Sequence, residues 1–425
     1  MPLAATAGHS ISEPSDTGGV FGYGVFMFVA DDKKGGRVNQ RTQGLGGMVG
    51  AETANWHGLS LKGAFYTTQD LGLRSEDARE IDAKMFDIDK TPYSLLGEAQ
   101  VRLTAGRTKL AFGRQEFFSP LINSYERRII PNLFEAYGVS NSDIPHTTVT
   151  LAYVAKMSGL DGRATHSKFR SMSQQAYTSL SADALGNTNN PTGYPLARSR
   201  DVGNRGVWVA GLDLESRNRI RLWKVHGIDT LNTIYLDGRL RVATSDAITL
   251  TFEAQSYRVA AVGGFRRLLS QRGLNASYGL VGISATWEDK SSGLGVSLSH
   301  NRFSGNEKTV TAVGNWGGYP EFVGMPYIFP GEDGASAIAR SRLYKLTAML
   351  DLTAFGASAH QFAFSHSRID TDHAIIANTD IVTSGVTYRV KLRSSWSARF
   401  GFFANSSANS RYANDVLSVS LRCAF

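Results

Sequence analysis

The stretch LSVSLRCAF, residues 417–425, decides the fold. Leu417, Val419, Leu421, Cys423 and Phe425 are apolar and share one parity, whereas the residues between them are small or polar. Because successive side chains of a strand point to opposite faces, this strand has one apolar and one polar face. A soluble antiparallel sheet over a core uses that pattern, and so does a transmembrane barrel with lipid outside and a polar lumen. The number and spacing of similar segments along the chain distinguish a soluble sheet from a transmembrane barrel.

The same period-two alternation recurs along the chain. In 93–104, for example, Tyr93, Leu95, Val101 and Leu103 alternate with polar residues, and 394–402 behaves in the same way. Counting such segments predicts eighteen strands. They are 20–30, 43–54, 58–68, 93–105, 107–115, 133–140, 147–157, 206–215, 218–226, 231–239, 247–260, 276–287, 293–303, 339–352, 359–368, 380–391, 394–404 and 414–425.

The connections between these strands alternate between long and short, with one brief exception near 227–230. Outer-membrane barrels sort their connections in this way, into short periplasmic turns and long extracellular loops. The sequence therefore predicts an all-β fold, a membrane-spanning antiparallel β-barrel of 18 strands. Residues 1–19 are expected to precede the barrel, and residues 20–425 to form it as a single domain. The last strand is expected to pair with the first, since closure removes edges that lipid cannot satisfy.

Composition excludes several classes of protein. The chain has 425 residues, 42% hydrophobic and 19% charged, and no apolar run long enough for a transmembrane helix. Its one cysteine, Cys423, excludes an internal disulfide framework. The net charge is +8, but lysines and arginines are dispersed, so no nucleic-acid partner is predicted. There is no G-x-S-x-G motif and no metal-ligand cluster. We therefore expect a protein that is not an enzyme and has no cofactor.

The ends and the aromatic residues carry further expectations. Residues 1–10 contain neither a basic n-region nor an apolar h-region, so the export signal of an outer-membrane protein is not expected in this sequence. Aromatic residues near predicted strand ends are expected to form belts at the two membrane interfaces. They are Phe28, Trp56, Tyr93, Trp208, Trp223, Trp287, Trp396 and Phe425.

The segment GRTKLAFGRQEFFSPLINSYERRIIPNLFEAYGV, residues 106–139, resembles the OprD-family porins. The resemblance is carried by Gly113-Arg114-Gln115, Pro120-Leu121-Ile122-Asn123, Glu126, Arg128, Pro131 and Phe134-Glu135-Ala136. Two positions depart from the family pattern, because the family usually has Asp at Glu126 and Gly at Ala136. The stretch 43–72 is also similar to divergent members. This resemblance implies an 18-stranded, substrate-selective channel.

In that family the third outer loop folds into the barrel and narrows the pore. The matching loop here is 116–132, so the resemblance implies a pore constriction at Asn123, Glu126, Arg127 and Arg128. Ordinary exposed loop charges are the alternative for the two arginines.

Strand parity selects a second set of candidate residues, a basic ladder along the lumen wall. Its members are Arg102, Arg107, Lys109, Arg389, Lys391, Arg399 and Arg422. A column of guanidinium groups in a narrow pore attracts anions and pairs with carboxylates. The alternative is that these are ordinary lumen charges, paired with Glu98 or Glu253, that select nothing.

These observations predict an outer-membrane porin of a Gram-negative bacterium. Small polar solutes, in particular carboxylate-bearing anions or zwitterions, would diffuse passively through a basic, constricted lumen. The expected partners are outer-membrane lipid and these solutes, and the barrel works either as a homotrimer or as a monomer. The alternatives are a non-selective general porin, an outer-membrane barrel enzyme such as a lipase or protease, and a soluble β-sandwich adhesin.

Overall fold

The computed structural model describes residues 17–125, 128–162, 164–175, 179–180, 205–311, 316–324, 338–356, 359–375 and 380–425. Within them, eighteen antiparallel strands form one sheet. These are β1 Gly19–Lys33, β2 Gln40–Glu52, β3 Leu59–Gln69, β4 Tyr93–Ala105, β5 Thr108–Gln115, β6 Leu133–Asn141, β7 Thr147–Ser158, β8 Val207–Glu215, β9 Arg219–Gly227, β10 Leu231–Ala243, β11 Ile248–Ala261, β12 Ser277–Asp289, β13 Leu294–Phe303, β14 Arg342–Asp351, β15 His360–Asp370, β16 Ile381–Lys391, β17 Trp396–Ser407 and β18 Asn414–Ala424.

The sheet closes on itself. Each strand pairs with its neighbour in sequence, and β18 pairs with β1 from Asn414 opposite Lys33 to Ala424 opposite Tyr23. The backbone of Phe425 continues the ladder through two hydrogen bonds of 3.0 Å with Gly22. Closure leaves no barrel edge for lipid to satisfy. The predicted 18-stranded antiparallel barrel is confirmed, and all eighteen predicted strands correspond to observed ones.

The outer wall of the barrel is apolar. Outward positions carry large hydrophobic side chains that are exposed in the isolated chain, such as Leu61, Phe112, Ile283, Leu346 and Phe402. An apolar outer band is what a membrane-spanning barrel presents to lipid. None of the described residues forms a helix both long enough and apolar enough to cross a membrane.

The predicted aromatic belt is correct only in part. Trp56, Trp208, Trp396 and Phe425 are exposed. Trp223, however, is 2% exposed and donates from Nε1 to Asp213 at 2.8 Å, and Tyr93 is 9% exposed. Trp223 has the parity of the inward Arg221 rather than that of the outward Leu222, and side-chain parity decides which face a residue occupies.

The connections fall into two classes at the two ends of the barrel. The end that holds the termini has the turns 53–58, 106–107, 142–146, 216–218, 244–247, 290–293, 352–359 and 392–395. The opposite end has the loops 34–39, 70–92, 116–132, 159–206, 228–230, 262–276, 304–341, 371–380 and 408–413. We call the first the turn end and the second the loop end. The first outer connection is shorter than predicted because β1 and β2 extend beyond their expected bounds.

Several loops at the loop end carry structure of their own. Helix α1 spans Met172–Gln175, and helix α2 spans Gly263–Gln271, with Phe265 and Leu269 buried. Two-residue strands occur at Arg170–Ser171, which pairs with β7, and at Ser179–Leu180 and Val310–Thr311, which pair with each other. Single 3₁₀ turns occur at Ala78–Glu80 and Ser410–Tyr412, and a third, Leu352–Phe355, lies at the turn end. Buried apolar residues of the loops pack against inward side chains of the wall in two clusters. The barrel is therefore partly filled by its own loops.

Candidate pore constriction

Loop 116–132 folds into the barrel and packs against its wall. Its apolar residues Phe117, Ile122, Ile129 and Ile130 are all 2% exposed or less. Ile129 lies over β2, where a Cβ built on Gly44 would fall 2.9 Å from the Ile129 Cδ1 atom. A side chain at this position would require the Ile129 side chain to move, so glycine lets the loop pack closely on the wall.

A buried ion pair holds loop 116–132 to loop 70–92, and a hydrogen bond holds it to β1. The Arg128 guanidinium, 4% exposed, donates to Asp82 Oδ2 from Nη2 at 2.8 Å and from Nε at 3.0 Å. The Tyr23 hydroxyl on β1 donates to the Ile129 carbonyl at 3.0 Å. Arg128, one of the predicted constriction residues, thus points into the contact between loops 70–92 and 116–132 and is covered from the lumen.

Two further contacts tie the loop to other outer loops. The Asn123 backbone N–H donates to the Trp316 carbonyl at 3.1 Å, and the Asn123 side chain donates to Ser119 in its own loop at 3.1 Å. Asn132 donates to Asp161 at 2.8 Å, and the Tyr319 hydroxyl donates to the same carboxylate at 2.9 Å. Asn123, also predicted at the constriction, therefore stabilises the loop. Glu126 and Arg127 lie outside the described residues.

The wall of β16, β17 and β18 carries arginines that face the lumen. Arg389 lies directly opposite Arg399 in the β16–β17 ladder, and Arg422 on β18 pairs with Ser397, two residues before Arg399. Direct cross-strand neighbours have Cβ atoms about 5 Å apart, and diagonal ones about 7–8 Å. The three guanidinium groups therefore share one patch of the wall, the arginine patch.

The arginine patch faces the inward-folded loop. Arg389 interacts electrostatically with Tyr125 of that loop. The guanidinium carbon of Arg422 lies 3.8 Å from the ring centroid of Tyr23, the residue that also holds Ile129. Among the described residues, neither Arg389 nor Arg399 forms an ion pair, and Arg389 Nε is buried without a hydrogen-bond partner. The arginine patch therefore lies close to loop 116–132.

The wall on the other side carries arginines whose charge is balanced. On β9, Arg219 and Arg221 donate to Asp237 of β10 at 2.8 and 2.7 Å, and Arg219 also lies 3.7 Å from Glu253 of β11. Arg239 donates to Glu215 at 2.8 Å. Strand β9 is nine positions from β18 in a ring of eighteen strands, so the two sets of arginines lie on opposite walls. Among the described residues, Arg219, Arg221 and Arg239 therefore have acidic partners, whereas Arg389 and Arg399 have none.

The other predicted ladder residues have different surroundings. Arg102 is 2% exposed and bound to Glu52 at 2.5 Å, so its charge is neutralised within the wall. Lys109 is half-buried on β5, with the parity of the inward Ala111. Arg107 is exposed in the turn 106–107, and Lys391 is exposed where β16 ends, so both lie at the rim of the turn end. The structure brings together only Arg389, Arg399 and Arg422.

Sequence reasoning missed Lys345 and the balanced cluster around Asp237. Lys345 on β14 has the inward parity of the buried Leu343 and Thr347, and among the described residues it has no acidic partner. The alternation of the strand could have identified Lys345 as an inward residue, because its neighbours Tyr344 and Leu346 both face outward. The pairing of Asp237 with two arginines depends on the register of β9 with β10, which sequence does not specify.

A polar cavity of about 510 Å³ lies among the loops of the loop end. Its lining includes the acidic residues Asp87 and Asp89 and the basic residues Lys168 and Arg170. Partial burial opposes ionisation of Asp87, but hydrogen bonds from Ser167, His166 and Thr165 outweigh it and lower the pKa of this carboxyl. The outer mouth therefore carries charges of both signs.

Comparisons with known proteins identify the fold. The chain matches no protein-family model, and no curated protein matches it. Among solved structures it is similar to the outer membrane protein opdK from Pseudomonas aeruginosa, at 12% identity and a TM-score of 0.74, over 97% of this chain and 100% of that one. OpdK has also been solved with vanillate.

Two further structures show the same likeness. Acinetobacter baumannii OccAB3 has 11% identity and a TM-score of 0.75, over 96% of this chain and 99% of that one. A BenF-like porin from Pseudomonas fluorescens Pf-5 has 10% identity and a TM-score of 0.72, over 97% and 100%. At these identities the likeness concerns the fold, and the resemblance inferred from residues 106–139 is confirmed at that level.

Proposed function

We propose that this protein is an outer-membrane porin of the OprD type through which small carboxylate-bearing solutes diffuse passively. The observation that carries the proposal is the arginine patch, which faces loop 116–132 across the narrowed lumen. A barrel with an apolar outer wall and a charged interior supports passage of polar solutes rather than of lipid.

The imbalance between the two walls supports a preference for anions. A carboxylate entering the constriction meets Arg389 and Arg399, which no described acidic residue neutralises. Guanidinium groups bind carboxylates in a bidentate manner, and their charge is screened less in a narrow lumen than in bulk water. The opposite wall, where Asp237 binds Arg219 and Arg221, adds little net charge. A solute is therefore drawn toward one side of the pore.

Aromatic carboxylates are the class to test first. Tyr23 places an aromatic ring under the Arg422 guanidinium, with 3.8 Å between the guanidinium carbon and the ring centroid. OpdK, which shares the fold, has been solved with vanillate, an aromatic carboxylate. We extend that class to this chain as part of the proposal. The loops bound to one another at the outer mouth support entry from the loop end, which we place at the cell surface.

The test is the reversal potential of the purified, refolded protein in a planar bilayer under a potassium chloride gradient. We expect stepwise conductance with an anion-leaning reversal potential, and block of the chloride current by benzoate in the millimolar range. The triple variant R389Q/R399Q/R422Q should move the reversal potential toward zero and weaken the block. The matched control is R107Q, which removes one arginine from the turn rim and should leave both readouts unchanged.

Each contrary result has a definite meaning. Conductance without anion preference in the wild type would support a channel but not a selective one, and would favour a general porin. Loss of selectivity in R107Q equal to that in the triple variant would show that the arginine patch is not the selective element. Folded protein without conductance, combined with ester or peptide hydrolysis, would favour the barrel enzyme instead.

A further inference from the structure

The outer wall of the barrel carries arginines where its apolar band ends toward the loop end. Outward residues on β13 are, in order, Leu294, Val296, Leu298, His300 and Arg302. On β14, read in the same direction, they are Leu350, Ala348, Leu346, Tyr344 and Arg342. On both strands the outward side chains are therefore aliphatic first, then an aromatic or imidazole ring, and last an arginine. The two arginines lie at the same height along the barrel axis.

The register brings these groups into contact across strands. Arg302 lies directly opposite Arg342, and His300 directly opposite Tyr344. The His300 and Tyr344 rings stack, with centroids 4.7 Å apart and planes at 29°. On the next strand, β15, Arg368 lies directly opposite Tyr344. Arg302, Arg342 and Arg368 thus surround a stacked aromatic pair, and we call them the lipid-face patch.

The charge of the lipid-face patch is only partly balanced. Arg368 lies 3.7 Å from Asp370 and 3.3 Å from Asp380. Arg302 and Arg342 are exposed, and the described part of the chain gives neither of them a hydrogen-bonding or acidic partner. Like charges directly opposite each other in a sheet are destabilising. An anion bridging the two guanidinium groups would remove that repulsion.

The height of the patch matches a lipid headgroup. From Leu294 to Arg302 is eight residues, which at about 3.3 Å per residue and a tilt of roughly 40° is a rise of about 20 Å. The apolar band of such barrels is about 25 Å tall. Leu294 follows the turn 290–293, so Arg302 lies near the opposite boundary of the hydrocarbon region. Its long side chain reaches the headgroup layer from there.

We propose that the lipid-face patch binds the phosphate of a phosphorylated glycolipid in the outer leaflet, with Arg302 and Arg342 as its two principal ligands. Guanidinium groups recognise phosphate in a bidentate manner, and basic clusters at the membrane surface bind anionic headgroups. The stacked His300 and Tyr344 lie directly below and pack against the upper part of the acyl chains. The proposal depends on the loop end facing the cell surface but not on solute transport.

The test measures lipid binding to the whole detergent-purified barrel by native mass spectrometry. The probes are diphosphoryl lipid A, its dephosphorylated form and inorganic phosphate. The variant is R302Q/R342Q, and the matched control is R41Q, an outward arginine on β2 that is already paired with Asp32 at 2.6 Å. Single-channel conductance, which lipid-facing changes should not alter, reports that both variants are folded.

We expect the wild type and R41Q to bind diphosphoryl lipid A in preference to the dephosphorylated form. With about 1 kcal/mol per basic residue near an anionic surface, the double variant should bind it about 30-fold more weakly. Equal binding of the two lipid forms, or undiminished binding by R302Q/R342Q, would overturn the proposal. Competition by inorganic phosphate at micromolar concentration would also overturn it, in favour of a free-anion site. Failure of the solute-selectivity proposal for the arginine patch would leave these lipid-binding results unaffected.

Discussion

The buried ion pair between Arg128 and Asp82 is the contact most open to a quantitative test. Arg128 is 4% exposed and Asp82 is 13% exposed, so water cannot replace either partner. Asp82→Asn keeps the shape of the side chain, and its oxygen can still accept from the Lys84 N–H, as Oδ1 does at 2.9 Å. It removes only the charge that neutralises the guanidinium.

Removing the carboxylate that binds a buried guanidinium costs about 3–5 kcal/mol. At 1.4 kcal/mol per factor of ten, the ratio of docked to detached loop should fall by about two to three and a half orders of magnitude. We expect D82N to raise single-channel conductance and current noise in planar bilayers, because loop 116–132 then leaves the lumen for part of the time. The midpoint of thermal unfolding in detergent should fall as well.

Two further variants make the reasoning refutable. The double variant D82L/R128M removes both charges and should recover much of the wild-type conductance, since apolar replacement of a buried pair is often nearly neutral. The exposed pair of Asp77 and Arg79, at 2.7 Å in the same outer loop, supplies the control, and D77N should change nothing measurable. Wild-type conductance and stability in D82N, or a double variant worse than D82N, would refute the argument.

Three other predictions follow from the same structure. Gly46→Ala should lower the refolding yield, because the added Cβ would clash with the backbone carbonyl of Thr67 on β3 and with the side chain of Ile129; displacement of the loop should also raise conductance, and both quantities are measured on the same preparation. Burial raises the pKa of Glu321 to about 7, despite a hydrogen bond from Tyr257 that opposes the shift, so the folded state keeps a proton that the unfolded chain releases from about pH 4.5. Stability should therefore fall as pH rises from about 4.5 to 7 and level off above, and a melting series on E321Q should lose this component. Asp237→Asn should remove the carboxylate that binds Arg221 and leave Arg219 with Glu253 at 3.7 Å, which shifts the reversal potential further toward anions; an unchanged potential would contradict the interpretation that Asp237 neutralises this wall.

The alternation of each strand predicts which arginines face the lumen. It does not predict which of those arginines lie close together. Arg389, Arg399 and Arg422 were selected because each alternates with outward apolar residues. The same rule selected Arg102, which the structure shows bound to Glu52, a residue fifty positions earlier in the chain. Parity reports the face of a sheet and says nothing about the partner across it. Whether a lumen arginine is free or neutralised therefore depends on register.

Loop 116–132 shows the same division. Its sequence resembles that of an inward-folded loop, and its isoleucines favour burial. The residues that hold it, however, come from distant parts of the chain: Asp82, Tyr23 and Trp316. Arg128 was expected to face the pore, and its contact with Asp82 turns it away.

By itself, the sequence determined that this chain forms an 18-stranded barrel with an apolar outer wall, because the face of a strand depends only on a two-residue period. It also determined which end of the barrel carries the long loops, since the length of each connection is the number of residues between two predicted strands. Only the tertiary structure decided which charges remain unbalanced, how the loop is anchored and that Arg302 lies opposite Arg342. Those properties arise from strand register and loop docking, which join residues far apart in sequence, and no local pattern encodes them.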